Sequence, residues 1–353
     1  MTKLICTAPW SSLTIEPYGK AKICSVSSVE DDYSDIASIM TSNTYRSVRE
    51  SFCKSEKHHN CNRCWREEDN STEWLSRRSF YQPPDFYYSD NPDDYKVEYL
   101  DLRWSNTCNL NCVYCGPTFS SKWASLNGMP EVYRNKLTIP DEYLQNLKTL
   151  MLVGGEPTLI KENIPVLQRL LVLNPEVDIE ITSNLTYNQD NTVYNLLRKF
   201  SNVTMIASFE TIGKQFEYIR NGAKWDKFYA NLALAEIHFK KVQANMVYMP
   251  LSAFYIVDAI TVAMDHMPED EIYIREQWGP PGFDCLSKNA CSRIVEYTTK
   301  AANSLPATIS SRIQSMLNYV HSAADITYLE HYERFDKLTN QNHKEVFPDL
   351  YNN

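Results

Sequence analysis

The chain has 353 residues, a formal net charge of −9, 43% hydrophobic and 22% charged residues, which excludes a disordered tail or a mini-protein. At roughly 100 to 200 residues per domain, this length suggests two domains, or one large domain with an appendage. The acidic balance disfavours broad, sequence-independent nucleic-acid binding. The apolar stretches, such as 147–153 and 254–264, are far shorter than the ~20 residues that span a bilayer. With no secretory signal evident, we expect a cytoplasmic protein without a membrane partner.

Residues 1–95 carry five of the ten cysteines, and their pattern predicts irregular structure ending in a linker at 81–95. Without an export signal, so many cysteines favour metal or redox chemistry over a disulfide framework. From about residue 97 the sequence pattern predicts alternating strands and helices. The predicted strands are 97–103, 148–153, 177–182, 203–208, 243–249 and 271–276. The predicted helices lie near 141–147, 163–173, 190–200, 226–240, 252–266 and 287–301.

Six strand-helix units predict an α/β fold, with a parallel sheet in an open or partial (β/α)6 barrel. Beyond residue 302 the apolar positions recur at helical spacing, so a helical C-terminal tail is expected. The predicted organisation is therefore an irregular N-terminal module with its linker at 1–95, the partial barrel at 96–285 and a helical extension at 286–353.

The strongest chemical signal is a Cys-x3-Cys-x2-Cys triplet formed by Cys108, Cys112 and Cys115. Iron–sulfur clusters are normally held by four cysteines, so three thiolates leave one iron with an open position that a small molecule can chelate. Two other interpretations stay open: a zinc site completed by a distant histidine, and three unrelated thiols.

Further polar or glycine-containing motifs follow the next three predicted strands. Gly154-Gly155-Glu156-Pro157 follows the second strand, Thr182-Ser183-Asn184 closes the third, and Ser208 and Glu210 close the fourth. The carboxyl ends of barrel strands share one rim, where barrel enzymes keep their chemistry. Two glycines let a ligand approach the backbone, and a neighbouring carboxylate accepts hydrogen bonds from an amino group. Ser208 and Asn184 are also explained as ordinary polar residues at strand ends.

With these motifs in place, residues 97–280 resemble the radical S-adenosylmethionine (SAM) superfamily. The resemblance implies that Cys108, Cys112 and Cys115 bind a 4Fe-4S cluster and that Tyr114 packs by the SAM adenine. It further implies SAM contacts from Gly154, Gly155, Glu156, Ser183 or Asn184, Ser208 and Arg220. The usual Ser-x-Asp-Gly ending of the fourth strand reads Ser208-Phe209-Glu210-Thr211 here, so Glu210 departs from the family pattern.

The N-terminal region carries a second cysteine pattern, in which Cys6 and Cys24 flank Gly19 and are followed by Cys61-x2-Cys64. This pattern is similar to the half-site of SPASM and twitch modules, which bind an auxiliary 4Fe-4S cluster. The resemblance implies a second cluster held by Cys6, Cys24, Cys61 and Cys64, with no open site. A structural zinc that uses His58, His59 and Cys53 stays open, as does Cys53 in place of one of the four ligands.

Cys285 and Cys291 follow the sixth predicted strand. They are candidate hydrogen-atom donors to a substrate radical, or ligands of a further cluster, although two ordinary thiols are the simpler interpretation. The segment Trp278-Gly-Pro-Pro-Gly282 ends the same strand and is a candidate wall of the substrate site.

The resemblance implies an enzyme that reductively cleaves SAM to a 5′-deoxyadenosyl radical, which abstracts a hydrogen atom from a substrate. A low-potential donor such as flavodoxin or ferredoxin would supply the electron. By analogy with SPASM and twitch relatives we expect a peptide or protein side chain as substrate. The alternatives are a small metabolite such as a sugar, nucleotide or amine, and a non-catalytic iron–sulfur or zinc scaffold or electron carrier.

Overall fold

A computed structural model of the chain describes residues 6–28, 31–32, 35–70, 78, 81, 86–130, 137–277, 282–318, 320 and 329–351. These residues divide into two compact units. The first unit takes those within Met1–Thr107, Val132–Ile181 and Asp190–Val203, and the second takes those within Cys108–Glu131, Thr182–Gln189 and Thr204–Asn353. The division of the chain at residues 95 and 285 stays a prediction.

The described strands fall into three that precede the predicted barrel and six that match it. They are β1 (Ser12–Ile15), β2 (Lys20–Lys22), β3 (Asp31–Asp32), β4 (Tyr99–Leu102), β5 (Thr149–Leu152), β6 (Asp178–Ser183), β7 (Val203–Ser208), β8 (Lys241–Tyr248) and β9 (Ile272–Glu276). All six predicted strands are therefore confirmed, as β4 to β9, with ends that shift by no more than two residues.

In the first unit, the strands run in the order β3-β2-β1-β4-β5-β6. The pairs β1·β4, β4·β5 and β5·β6 are parallel, whereas β2 is antiparallel to both β1 and β3. The register places Leu13 opposite Leu100, Leu100 opposite Leu150 and Leu150 opposite Ile179. All four side chains are buried. This apolar row is the centre of the unit's core, because each residue covers its neighbour on the same face of the sheet.

The strands of the second unit, β7, β8 and β9, are likewise parallel and neighbour each other in chain order. Along β8 the buried and partly exposed positions alternate, with Ala244 and Met246 on the buried face. Strand β9 repeats the pattern, and its Ile272 and Ile274 pair with those two residues. The alternation is that of a sheet with one face against a core and one face near solvent.

Helices connect the parallel strands. The described helices are α1 (Ala8–Ser11), α2 (Ile36–Met40), α3 (Asn43–Cys53), α4 (Asn62–Asn70), α5 (Ser121–Leu126), α6 (Asp141–Gln145), α7 (Asn163–Leu173), α8 (Thr192–Leu197), α9 (Gly213–Ile219), α10 (Trp225–His238), α11 (Ile256–Met264), α12 (Lys288–Ala302), α13 (Ala307–Leu317), α14 (Glu330–Thr339) and α15 (His343–Val346). The six predicted helices are α6, α7, α8, α10, α11 and α12. The predicted fold class is confirmed: a mostly parallel, open α/β sheet of the partial-barrel kind, with a helical C-terminus.

The N-terminal region is more regular than the sequence suggested, since it contains β1 to β3 and α1 to α4. Strand β1 alternates polar and apolar residues in Ser12-Leu13-Thr14-Ile15, but it is only four residues long, and the sequence analysis missed this short pattern. Helix α3 begins at a Ser42 cap and buries Tyr45, Val48 and Phe52 along one side. Residues 91–94 form a turn, in which the Asn91 side chain accepts a hydrogen bond from the Asp93 N–H.

None of the helices among the described residues combines the length and apolarity needed to cross a membrane. The predicted wall segment Trp278–Gly282 lies outside the described residues, except for Gly282.

The apolar row predicts the cost of truncating its middle member. Leu150 is fully buried between Leu100 and Ile179, so Leu150→Ala should lower the free energy of unfolding by about 2 to 5 kcal/mol through lost burial and a residual cavity. Val172 on α7 is 82% exposed, so Val172→Ala is the matched control and should change it by less than about 0.5 kcal/mol. Urea unfolding measures both, and equal effects would contradict the assigned core.

Candidate functional site

The cysteine loop, residues 108–116, follows β4 and is held by backbone hydrogen bonds to the end of α9. The Asn111 N–H donates to the Asn221 carbonyl at 3.1 Å, and the Val113 N–H donates to the Ile219 carbonyl at 2.8 Å. These two bonds pair the loop with residues on either side of Arg220. The conformation of the loop and the position of Arg220 are therefore linked through the backbone.

Helix α5 fixes the loop from its other side. The Cys108 N–H donates to Ser121 Oγ at 3.1 Å, and the Trp123 indole N–H donates to the Cys112 carbonyl at 2.8 Å. Ser120 caps the helix and also donates its hydroxyl to the Leu110 carbonyl at 2.6 Å. These bonds use carbonyls and N–H groups of the loop. The Leu110 N–H also donates to Cys108 Sγ at 3.5 Å, and Cys115 Sγ donates to the Gly116 carbonyl at 3.7 Å.

The three thiols share an electrostatic environment. Cys112 is buried, whereas Cys108 and Cys115 are half-buried. Burial raises the pKa of the Cys112 thiol, Arg220 lowers it, and both Cys115 and Cys108 raise it. Burial also raises the pKa of Cys115, while a backbone hydrogen bond and Arg220 lower it. Cys112 therefore lies within electrostatic reach of both other thiols, and Arg220 within reach of Cys112 and Cys115, an arrangement that suits ligands of an anionic iron–sulfur cluster.

An amide clasp formed by Asn109, Asn184 and Thr186 ties the cysteine loop to the turn after β6. Asn184 Nδ2 donates to Asn109 Oδ1 at 3.0 Å, and Asn109 Nδ2 donates to Thr186 Oγ1 at 2.8 Å. Asn184 Oδ1 accepts from the N–H of Thr186 at 3.0 Å and from its hydroxyl at 2.6 Å. The Asn184 amide thus holds the loop. Its expected contact with the SAM ribose stays a prediction.

The two candidate serines lie at strand ends. Ser183 is buried at the end of β6, and its Oγ accepts the Leu185 N–H at 3.1 Å. This bond supports the left-handed φ of +51° at Leu185. Ser208 ends β7, is nearly buried and pairs with Asn245 of β8. Their predicted SAM contacts are not tested by these bonds.

Tyr114, Glu210 and Arg220 form a buried charged network beside the loop. Arg220 Nε donates to Glu210 Oε2 at 3.0 Å, and the Tyr114 hydroxyl donates to Glu210 Oε1 at 2.8 Å. Burial lowers the pKa of Arg220, but the charges of Glu210, Tyr114 and Cys112 outweigh it and raise that pKa above its ordinary value. Glu210 is fully buried and acts as the partner that keeps a buried guanidinium charged and fixed.

The Gly154-Gly155-Glu156 turn lies in the first unit against the end of β4. The Gly155 and Glu156 N–H groups donate to the Ser105 and Thr107 carbonyls at 3.1 and 2.8 Å. Gly154 has a φ of +112°, and a Cβ on Gly155 would lie 2.1 Å from the Thr107 carbonyl oxygen. Only glycine fits there. Thr107 directly precedes Cys108 in the sequence.

Glu156 is buried and caps the short 3-10 helix Pro157–Leu159. Its Oε1 accepts from the Thr158 hydroxyl at 2.7 Å and from the Thr158 N–H at 3.2 Å. The structure therefore assigns Glu156 a local capping role. Its predicted bond to the methionine amino group stays a prediction.

The four N-terminal cysteines of the second pattern line one pocket in the first unit. Cys6, Cys24, Cys61 and Cys64 surround it together with Arg78 and Asn60. Burial raises the pKa of Cys6 well above its ordinary value, and Cys24, Cys61 and Cys64 raise it further. Burial also raises the pKa of Cys64 to about 11. Four thiols so close together suit a group that takes them as thiolates.

The other N-terminal candidates lie outside the lining of this pocket. His58 Nδ1 accepts the Asn60 N–H, the His58 and His59 rings pack against each other at 4.2 Å, and Cys53 Sγ donates to the Asp90 carbonyl. Within the described ranges, no three His, Cys, Asp or Glu side chains converge as ligands of a single metal ion. A 4Fe-4S cluster does not need that convergence, because each cysteine binds a different iron.

Cys285 and Cys291 follow β9 in the second unit. Cys285 ends the 3-10 helix Phe283–Cys285, and Cys291 donates to the Phe283 carbonyl from α12. Burial, Asp284 and Cys291 raise the pKa of Cys285 to about 12, so its thiol keeps its hydrogen at neutral pH. The role of either thiol as a hydrogen-atom donor to a substrate radical stays a prediction.

The sequence analysis missed the residues that hold the cysteine loop: Asn109, Ser121, Trp123 and Thr186. Asn109 lies between the first two cysteines of the motif. Its position in the motif could therefore have identified it as a site residue. The partners at 121, 123 and 186 are brought to the loop by the fold and have no distinguishing spacing in the sequence.

The region that contains the candidate site is also the region that matches a known protein family. The domain of the radical SAM superfamily matches residues 102–261, which include the cysteine loop, the Gly-Gly-Glu turn, the amide clasp and Arg220. Residues 102–261 form a radical SAM domain. The radical SAM family implies a 4Fe-4S cluster and SAM as cofactors.

Among curated proteins, this radical SAM chain is 24% identical to the GTP 3′,8-cyclase of Lactiplantibacillus plantarum over 160 residues, 42% of this chain and 45% of that protein. It is 26% identical to molybdenum cofactor biosynthesis protein 1 of Drosophila melanogaster over 161 residues, 43% of this chain and 26% of that protein. The chain spans about half the length of the cyclases that it matches.

Among solved structures, Streptococcus suis SuiB bound to S-adenosylmethionine aligns with 59% of this chain and 48% of its own, at 17% identity and a TM-score of 0.42. SuiB bound to the precursor peptide SuiA aligns with 85% of this chain and 70% of its own, at 13% identity and a TM-score of 0.41.

The close approach at Gly155 predicts that Gly155→Ala displaces the end of β4. The new methyl group would overlap the Thr107 carbonyl, so we expect unfolding to become easier by about 1 to 3 kcal/mol and SAM binding to weaken. Val172→Ala is the control, because Val172 lies in the same unit, is 82% exposed and is outside the site. Thermal unfolding and calorimetric titration with SAM measure both variants. Unchanged values for Gly155→Ala would refute the close approach.

Proposed function

We propose that this chain is an enzyme that reductively cleaves SAM and uses the resulting 5′-deoxyadenosyl radical to take a hydrogen atom from a substrate. The observation that carries the proposal is the cysteine loop, in which hydrogen bonds to the loop backbone fix a segment that carries one buried and two half-buried thiols. When bound, a 4Fe-4S cluster supplies the electron that breaks the sulfonium carbon–sulfur bond.

The chain's own residues would then bind and orient SAM. Cys108, Cys112 and Cys115 would hold the cluster, and three protein ligands would leave one iron open to SAM. Arg220 brings a fixed positive charge to the SAM carboxylate or ribose, and Glu210 positions that guanidinium. Tyr114 packs by the adenine. The glycines at 154 and 155 leave room for the methionine end, with Glu156 as the acceptor for its amino group. Ser183, Asn184 and Ser208 are the candidate ribose contacts.

The pocket of Cys6, Cys24, Cys61 and Cys64 is proposed to hold a second 4Fe-4S cluster in a twitch-like module. Four cysteine ligands leave no open iron, which suits electron transfer or structural support. Arg78 lines the same pocket and lowers the pKa of the Cys61 thiol, although burial and the neighbouring thiols raise it overall. A cation beside the pocket would help to balance thiolate charge.

We propose two candidate classes of substrate. A peptide or protein side chain is proposed by analogy with SPASM and twitch relatives, which modify peptides. A nucleotide is the second candidate, because the curated relatives are named for GTP. The electron donor is proposed to be a flavodoxin or ferredoxin. A non-catalytic iron–sulfur scaffold or electron carrier is the alternative of another class.

The activity itself separates these possibilities. Under anaerobic conditions with SAM and dithionite, we expect the reconstituted protein to form 5′-deoxyadenosine, quantified by liquid chromatography. Cys112→Ala should abolish this product, because Cys112 is the buried ligand at the centre of the loop. Cys53→Ala is the matched control, since Cys53 belongs to neither proposed ligand set, and it should retain the activity of the unaltered protein. A pure electron carrier would form no 5′-deoxyadenosine at all.

Metal analysis tests the second cluster separately. Two clusters predict about eight irons and about eight sulfides per chain, and Cys61→Ala with Cys64→Ala should reduce both to about four. The loss should leave the cluster of the cysteine loop in place. Zinc together with about four irons in the unaltered protein would show instead that the N-terminal pocket binds zinc.

A further inference from the structure

A buried ion pair, Glu210 with Arg220, lies beside the cysteine loop in the second unit. Glu210 is fully buried, and Arg220 is 4% exposed. Arg220 Nε donates to Glu210 Oε2 at 3.0 Å, and Arg220 Nη2 donates to Glu210 Oε1. The Tyr114 hydroxyl donates to the same Oε1 at 2.8 Å. Both carboxylate oxygens therefore accept, one of them from two donors, which is the bonding of an ionised carboxylate.

Side-chain and backbone contacts attach this ion pair to the cysteine loop. Tyr114 lies between Cys112 and Cys115 in the sequence, and its hydroxyl also accepts from Arg220 Nη2. The Arg220 guanidinium lies 5.7 Å from the centre of the Tyr114 ring. The backbone holds the same place, because the loop bonds to the carbonyls of the residues just before and just after Arg220. The two charges therefore have fixed positions relative to the thiols.

Both charges of the ion pair act on the thiols. Burial raises the pKa of the Cys112 thiol, and of the two charges Arg220 lowers that pKa whereas Glu210 raises it. Burial also raises the pKa of Cys115, while a backbone hydrogen bond and Arg220 lower it. The guanidinium and the carboxylate thus affect the charge on Cys112 in opposite directions. Water and salt screen them little, since both groups are buried.

The same two charges would act on a cluster held by these thiols. Reduction adds one negative charge to a 4Fe-4S cluster. A nearby positive charge therefore stabilises the reduced form and raises the reduction potential, whereas a nearby negative charge lowers it. A low potential makes the electron more strongly reducing, which favours cleavage of the sulfonium carbon–sulfur bond. An uncompensated Arg220 would therefore oppose the reaction that it is proposed to assist by binding SAM.

We infer that Glu210 keeps the reduction potential of the cysteine-loop cluster low by compensating the charge of Arg220. This inference rests on the proposed function and gives Glu210 a role in it beyond holding the guanidinium in place. Glu210 acts through Arg220, as a charge-compensating and positioning residue. Arg220 can then serve SAM without making the cluster a weaker reductant.

The test is a redox titration of the anaerobically reconstituted protein without SAM, followed by electron paramagnetic resonance. Cys61→Ala and Cys64→Ala are included so that one cluster is measured. Glu210→Gln leaves the guanidinium uncompensated and should raise the midpoint potential. Arg220→Met leaves the carboxylate uncompensated and should lower it. Each change should alter the reduction equilibrium by roughly tenfold, the effect of one charge about 10 Å away at an effective dielectric of about 20, or about 59 mV for one electron.

Two further variants control for structural effects. Glu210→Gln combined with Arg220→Met removes both charges, so the midpoint potential should return close to that of the parent protein. This double variant also leaves no unpaired buried charge, which is the feature that can unfold a single variant. Glu236→Gln is the matched control, because it removes the same charge from a side chain that is 50% exposed in the same unit. Its midpoint potential should stay unchanged.

The sign of the shifts decides the inference. If both single variants move the potential in the same direction, the ion pair acts by holding the structure or excluding water, and the inference is wrong. An unchanged potential in Glu210→Gln would overturn it too. Where a single variant does not fold, the double variant still decides, since a tenfold or larger departure from the parent protein would contradict charge compensation.

The inference and the proposed function fail in different ways. The titration requires a bound cluster but no cleavage of SAM. Opposite shifts in the two single variants, together with no 5′-deoxyadenosine from the unaltered protein, would refute the proposed function and support the inference. Formation of 5′-deoxyadenosine, together with an unchanged midpoint potential in Glu210→Gln, would refute the inference alone.

Discussion

The hydrogen bonds that fix the cysteine loop are the constraint on which the rest of the candidate site depends. The loop is bonded to the backbone around Arg220, to helix α5 and to the turn after β6. Each of these contacts uses a backbone group of the loop or the Asn109 amide. A cluster bound there would meet sulfur atoms whose positions are already set, which lowers the ordering cost of binding.

The hydrogen bonds that fix the cysteine loop also bring together residues that are far apart in the sequence. Arg220 follows α9, and the residues on either side of it hold the loop, so the guanidinium is placed by the contacts that place the thiols. Glu210 then keeps that charge in place without solvent. Helix α14, through His331, extends this arrangement into the C-terminal segment. In the first unit, the Gly155 and Glu156 backbone pairs with residues 105 and 107, just before Cys108.

The six barrel strands and the cysteine motif could be predicted because each has a local signal: apolar runs bounded by turns, and a spacing specific to one chemistry. Strand β1 was missed although Ser12-Leu13-Thr14-Ile15 alternates polar and apolar residues, because four residues give only a short pattern. Asn109 stood within the motif, yet its partners Asn184 and Thr186 lie about 75 residues away and meet it only in the fold.

The central claim is that the three thiolates of the cysteine loop hold a cluster with one open iron that chelates SAM. Electron paramagnetic resonance of the anaerobically reconstituted, dithionite-reduced protein tests it directly. With Cys61→Ala and Cys64→Ala present to remove the second signal, the account predicts one reduced 4Fe-4S spectrum whose g values change when SAM is added. A spectrum that SAM leaves unaltered, or no cluster signal at all, would contradict it.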